Sequence, residues 1–237
     1  MARRALILLT AALHAQQPSF EHLYRQALTQ REQTLGKDAA KTRESARDLA
    51  LYLAGRGEFG KAEAYREEAI ALVDGAEGAT ALHNWAVSLE ERDAAAAERM
   101  YRRVLELRTK MLPPLDVELA ATRLNLASLL VSRGDVEAGK LASAALVAFE
   151  KKLGPVDARV GAACGVLGAA NAIKGDIVTA ERLFRRGLAI AEKAHGATSP
   201  QTASALENLA DLLAQTGRES AARPLLDRAQ KIRAGAR

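Results

Sequence analysis

The sequence predicts an all-α protein, a right-handed superhelical solenoid of antiparallel helix pairs. The first reason is composition. Ala and Leu dominate the 237 residues, Glu, Arg and Lys follow, and there are only 6 prolines, so interior positions favour helix throughout. The second is that no segment alternates apolar and polar residues for long enough to argue a strand. The third is recurrence. "AERMYRRVL" at 97–105 returns as "AERLFRRGL" at 180–188, and "NLASLLVSRGD" at 125–135 returns as "NLADLLAQTGR" at 208–218, both 83 residues on. Two motifs sharing one spacing define a repeat, and "VLGAANAIKGD" at 166–176 falls halfway, so the unit is about 41 residues. One such helix pair cannot bury its apolar stripe alone, so neighbours must stack.

Residues 1–15, "MARRALILLTAALHA", carry two arginines, an apolar stretch from Ala5 to Leu13, and then small residues before a polar Gln-Gln-Pro. Nine helical residues rise only about 13 Å against roughly 30 Å of hydrocarbon, which excludes a membrane span. The pattern reads as a signal peptide and an exported, periplasmic or secreted protein. The alternative is a first helix of a cytoplasmic one. Residues 16–237 then form a single helical-repeat domain.

Its elements follow in order. Residues 19–36 match only the second helix of a unit and make a starting helix. Five pairs succeed it, near 38–75, 77–112, 115–153, 156–195 and 199–234. Within a pair the turn falls at Gly57, Gly134, Gly175 or Gly217, with Asp93 in that place in the shortened second pair. Glycine suits the place because it ends a helix at positive φ without steric penalty. Between pairs stand Gly36, Pro113 and Pro114, Gly154 and Pro155, and Gly196 to Pro200, where proline cannot continue the helix before it. Ala50, Ala86, Ala127, Gly168 and Ala210 share one slot, where a small side chain allows close approach. Leu49, Trp85, Leu126, Leu167 and Leu209 fill the next, which assigns Trp85 to the core.

The helix pair with "NLA", a turn glycine nine residues later and "A-E-x-L-[FY]-R-R-x-L" beyond it resembles the tetratricopeptide repeat. The 41-to-42-residue period and the closing "LG" resemble the longer variant of kinesin light chains and many bacterial proteins. The resemblance covers residues 19–234 and implies a non-catalytic scaffold that binds proteins or peptides. It also implies a concave groove lined by first helices, in which an Asn hydrogen-bonds the backbone of an extended peptide. Asn84, Asn125 and Asn208 match that position, while Asp48 and Val166 depart from it.

Helical spacing of four and three residues sets Val87 beside Asn84, Ser128 beside Asn125, and Ser204 and Asp211 beside Asn208 on the same inward face. An amide can pair with a peptide unit of any sequence because it both donates and accepts. The competing reading is that these Asn residues only bond across stacked helices. With about 0.5–1.5 kcal/mol per hydrogen bond, three Asn contacts support weak binding alone, so apolar pockets or avidity must add to them. The inward positions hold no Lys or Arg, and acidic Glu44, Asp48 and Asp211 favour a neutral or weakly basic ligand. Self-association through the ends or the convex face is the alternative use of such a scaffold.

Other chemistry is not expected. "GRGEFGKA" at 55–62 satisfies G-x-G-x-x-G and most of a phosphate loop. A helix rather than a strand precedes it, however, position 62 is Ala, and the other repeats lose the pattern. His14, His22, His83 and His195 show no metal-ligand spacing, so no metal or cofactor is expected. Cys164 is the only cysteine and reads as small apolar filler. No Ser lies in a nucleophile context, and the carboxylates sit among Arg and Lys on solvated helix faces. Net charge is +5, or +3 without Arg3 and Arg4, with no basic stripe for nucleic acid.

Overall fold

A computed structural model describes residues 19–235. The signal-peptide expectation for residues 1–15 lies outside the described residues. Every regular element among those described is a helix. The described residues divide into two compact units, one up to Ser88 and one from Leu89, although the sequence repeat reads as one domain from residue 16. The division falls inside the shortened second pair, at the last residue of its first helix.

In the first unit, α1 (Phe20–Leu35) packs on α2 (Ala40–Gly55), and α2 packs in turn on a broken second helix. The sequence predicts one continuous helix there, but the segment runs as α3 (Phe59–Ala62), a 3-10 turn (Glu63–Tyr65) and α4 (Arg66–Leu72). Gly60 lowers helix propensity at its start, and such starts readily tighten to 3-10 geometry. Then follows α5 (Gly75–Leu89), which carries the fully buried Leu82, Trp85 and Ala86.

The second unit runs through α6 (Ala94–Met111), α7 (Val117–Val131), α8 (Glu137–Leu153), α9 (Ala158–Ile173), α10 (Ile177–His195), α11 (Pro200–Gln215) and α12 (Glu219–Gly235). Each helix packs on the next in sequence, and among the first helices α9 also touches α7 on one side and α11 on the other. Short polar side chains set the starts. Asp93, Asp116, Asp157, Asp176 and Ser199 each accept a backbone N–H of the first turn of their helix. Gly134, Gly175 and Gly217 close the intra-pair turns at φ of 70°, 82° and 72°, a region closed to most side chains. Where pairs join, buried Thr42 and Thr202 each donate to the carbonyl of the glycine six residues earlier, Gly36 and Gly196, at 2.8 Å.

Packing between α9 and α10 is close because glycines stand on both helices where they meet. A Cβ on Gly168 would lie 2.8 Å from Phe184 Cε1, and one on Gly161 would lie 2.9 Å from Ile190 Cγ2. One on Gly187 would meet the Gly161 carbonyl oxygen at 3.2 Å. The interface thus excludes a side chain at Gly161 and Gly168 and is tight at Gly187. Cys164 is fully buried in the same seam, where burial pushes its thiol above the usual pKa.

Candidate functional site

"GRGEFGKA" spans the end of α2, the turn at Gly57 (φ 75°) and α3. Lys61 pairs with Glu58 at 2.6 Å and Glu21 at 3.4 Å, so its ammonium is engaged in surface ion pairs within the unit. Among the described residues, no group of three His, Cys, Asp or Glu could hold a metal ion. Nor is any described helix long and apolar enough to cross a membrane.

The inward-facing residues have different surroundings. In the first unit, Asp48 bonds Arg47 at 2.7 Å and lines a shallow recess with Leu51, Tyr24 and Gly78. Asn84 and Val87 are solvent-exposed on α5 and lie outside that recess. In the second unit, Asn125 donates to the Tyr101 hydroxyl at 3.4 Å, and that hydroxyl donates to Glu90 at 2.5 Å. Burial, reinforced by Glu90, raises the Tyr101 pKa and keeps the phenol neutral. One Asn125 donor is therefore spent across the α6–α7 contact, as the cross-helix reading of that residue expects. Asp211 is exposed on α11, outside the cleft described next.

Ser128, Val166, Ser204 and Asn208, from α7, α9 and α11, share a cleft of about 390 Å³. Asn208 is exposed and points an amide nitrogen toward Gly165, 3.8 Å from where a Cβ would stand. Second helix α10 also lines the cleft through Phe184, Gly187, Ala191 and His195, although reading the inward face from first helices alone leaves α10 out. The signal was in the repeats. Gly187 stands where "AERMYRRVL" has Val104. Ala191 stands where earlier second helices have Arg31, Val73, Arg108 and Phe149, and Gly165 stands where earlier first helices have Arg47, His83 and Leu124.

These filled slots show what the cleft lacks. Arg31 bonds the Ser45 hydroxyl at 2.5 Å, and Arg108 bonds Thr122 at 2.8 Å. Phe149 shares a core cluster with Ala163. At the corresponding pair, Ala191 and Ala205, both side chains are small and both line the cleft. The space is a local truncation of the repeat, walled by methyl groups and glycines with amide and hydroxyl groups at its edge. Such a wall offers van der Waals surface and hydrogen bonds but no nucleophile, base and orienting group acting together.

Stacked antiparallel pairs, with a small-residue slot in each first helix, define a helical-repeat scaffold. Residues 161–234 match the model of the Tetratricopeptide repeat family, which is generally a non-enzymatic scaffold. The fold is also that of solved kinesin-light-chain-like repeat proteins. BtubC (BKLC) from P. vanneervenii is 22% identical, with 91% of this chain and 90% of that one covered and a TM-score of 0.62. A kinesin-light-chain-like protein with nearly identical TPR-like repeats from P. anserina is 20% identical, with 82% and 96% covered and a TM-score of 0.58. No curated protein sequence matches the chain.

Proposed function

We propose that this protein is a non-catalytic adaptor that holds an extended segment of a partner protein in the cleft of the second unit. Asn208 pairs with the segment's backbone, and an apolar side chain of the segment sits between Gly165, Gly187 and Ala191. Gly165 carries this reading. In a helix interior glycine costs about 1 kcal/mol relative to alanine. At Gly161 and Gly168 the close α9–α10 contact leaves no room for a Cβ, and at Gly187 it leaves little. At Gly165 the only neighbour within 4 Å of an added Cβ is Asn208 Nδ2, so packing within the protein does not demand glycine there. Its missing side chain serves to keep the cleft open.

The test compares partner capture by wild type, Gly165→Leu and Asn208→Ala at matched helical circular dichroism. Gly165→Leu puts the Leu124 side chain of the third pair into the space. It is expected to abolish capture, while Asn208→Ala weakens it roughly 3- to 10-fold, the value of one hydrogen bond. A partner held equally by all three would overturn the cleft reading.

Export completes the proposal, on the strength of the N-terminal pattern. Sequencing of the protein purified from its source is expected to start at Gln16, and an intact Met1 or Ala2 terminus would contradict it.

A further inference from the structure

A second surface of the same unit has lost an internal ion pair that its neighbours keep. Glu98 of α6 reaches forward to Arg133 in the turn of the next pair at 2.5 Å. Glu181 of α10 also reaches the next turn, where it pairs with Arg218, the residue after the turn glycine Gly217 and not the one before it, at 2.8 Å. Between them, the carboxylate position of the third pair is Gly139, and the residue before the turn glycine of the fourth pair, where the third pair has Arg133, is Lys174. Lys174 still reaches over, and its Nζ lies 3.0 Å from where a Cβ of Gly139 would stand. The cation is in place and the carboxylate has been deleted.

Lys174 is not isolated there. It lines an open recess of about 830 Å³ over α8 together with Arg123 and Lys140, and no carboxylate lines that recess. Arg123 donates to the Pro114 carbonyl at 2.8 Å, and its half-buried guanidinium has a pKa lowered by burial, with no acidic neighbour opposing the shift. Most other arginines of this unit are ion-paired, Arg102, Arg133, Arg185, Arg186, Arg218 and Arg228 among them. The floor is aliphatic, from Leu115, Val147 and Leu167. Leu167 is only half-buried, although Leu49, Trp85 and Leu126 in the same slot are fully buried.

We propose that this recess binds an acidic segment of a partner protein, a carboxylate of which takes the place of the deleted glutamate beside Lys174, Arg123 and Lys140. Charge complementarity sets the sign of the ligand, since three cationic residues and no carboxylate line the one recess. The aliphatic floor decides its kind: acidic side chains flanking an aliphatic one fill both parts of the recess, whereas single-stranded nucleic acid characteristically stacks its bases on aromatic side chains, which the lining lacks. None of the cleft residues takes part, so this site stands or falls separately from the cleft.

The test uses the full chain and a fluorescein-labelled peptide of glutamates around one leucine, followed by anisotropy. Wild type is expected to bind it, more weakly as salt rises, and not to bind the glutamine counterpart. Lys174→Met is expected to weaken binding at least about tenfold, the worth of a charge-assisted hydrogen bond. Gly139→Glu is the decisive variant, because it restores the internal carboxylate. An added Cβ there meets chiefly the mobile end of Lys174, so the helix accepts it, and an unchanged thermal midpoint will show that the fold is intact. It is expected to block the peptide as fully as Lys174→Met. Peptide binding unaffected by Gly139→Glu, or absent from wild type, would overturn the proposal. Displacement of the peptide by inorganic pyrophosphate at far lower concentration would also overturn it and reassign the recess to phosphate.

Discussion

Replacing Trp85 with alanine is expected to cost about 3–5 kcal/mol of stability, the range for emptying a buried aromatic site. In a chain of this size that lowers the thermal midpoint by roughly 6–20 °C. Trp85 is fully buried on α5, in the slot that Leu fills in the other repeats. Its indole N–H has no acceptor among the described residues. An unpaired buried donor itself costs about 1–3 kcal/mol. Trp85→Phe removes that donor while keeping most of the volume, so its loss should stay below about 1.5 kcal/mol. Denaturant unfolding followed by far-UV circular dichroism separates the two variants. Equal losses for Ala and Phe would show that the N–H, and not the ring, holds the site.

The second large effect is expected at Arg108, which is only 3% exposed. It donates to the Glu118 carbonyl at 2.9 Å and to Thr122 Oγ1 at 2.8 Å, and it pairs with the Glu118 carboxylate at 3.1 Å. Burial lowers its pKa, against the raising influence of Glu118 and Asp116. Arg108→Ala is expected to cost about 2–4 kcal/mol, through lost hydrogen bonds and an emptied stem site. Thr122→Ala should cost about 1–2 kcal/mol, because the buried guanidinium loses one of its acceptors. The chain supplies its own repair, since the next repeat fills the same two slots with Phe149 and Ala163. Arg108→Phe with Thr122→Ala is therefore expected to fall within about 1 kcal/mol of wild type, as apolar replacements of buried ionic groups often do. A double-mutant cycle measures the coupling, expected at about 1–3 kcal/mol. Strict additivity would mean that the slots do not communicate.

Helix identity and turn position were legible in the sequence because each depends on residues near in the chain. The turn glycines at 57, 134, 175 and 217 adopt positive φ, and the expected core residue Trp85 is fully buried. The break in the helix after Gly60 was not legible, because propensity differences of a few tenths of a kcal/mol per residue do not fix a 3-10 turn. The Asn positions follow from register and from the resemblance to the tetratricopeptide repeat. Register fixes which face a side chain occupies but not what meets it there. Asn125 finds the Tyr101 hydroxyl, whereas Asn208 stands at the edge of open space beside Gly165.

The sequence by itself thus determined the repeat, its period and the residues that share each slot, since these are properties of spacing along one chain. Only the tertiary structure decided which missing side chains leave a space and which do not. A glycine reads the same at 161, 165 and 168. Yet Ile190 and Phe184 from another helix close on the first and third, while nothing but an amide nitrogen approaches the second. The physical reason is that volume is a relation between helices far apart in sequence, and a close-packed interior fixes it only after they have met.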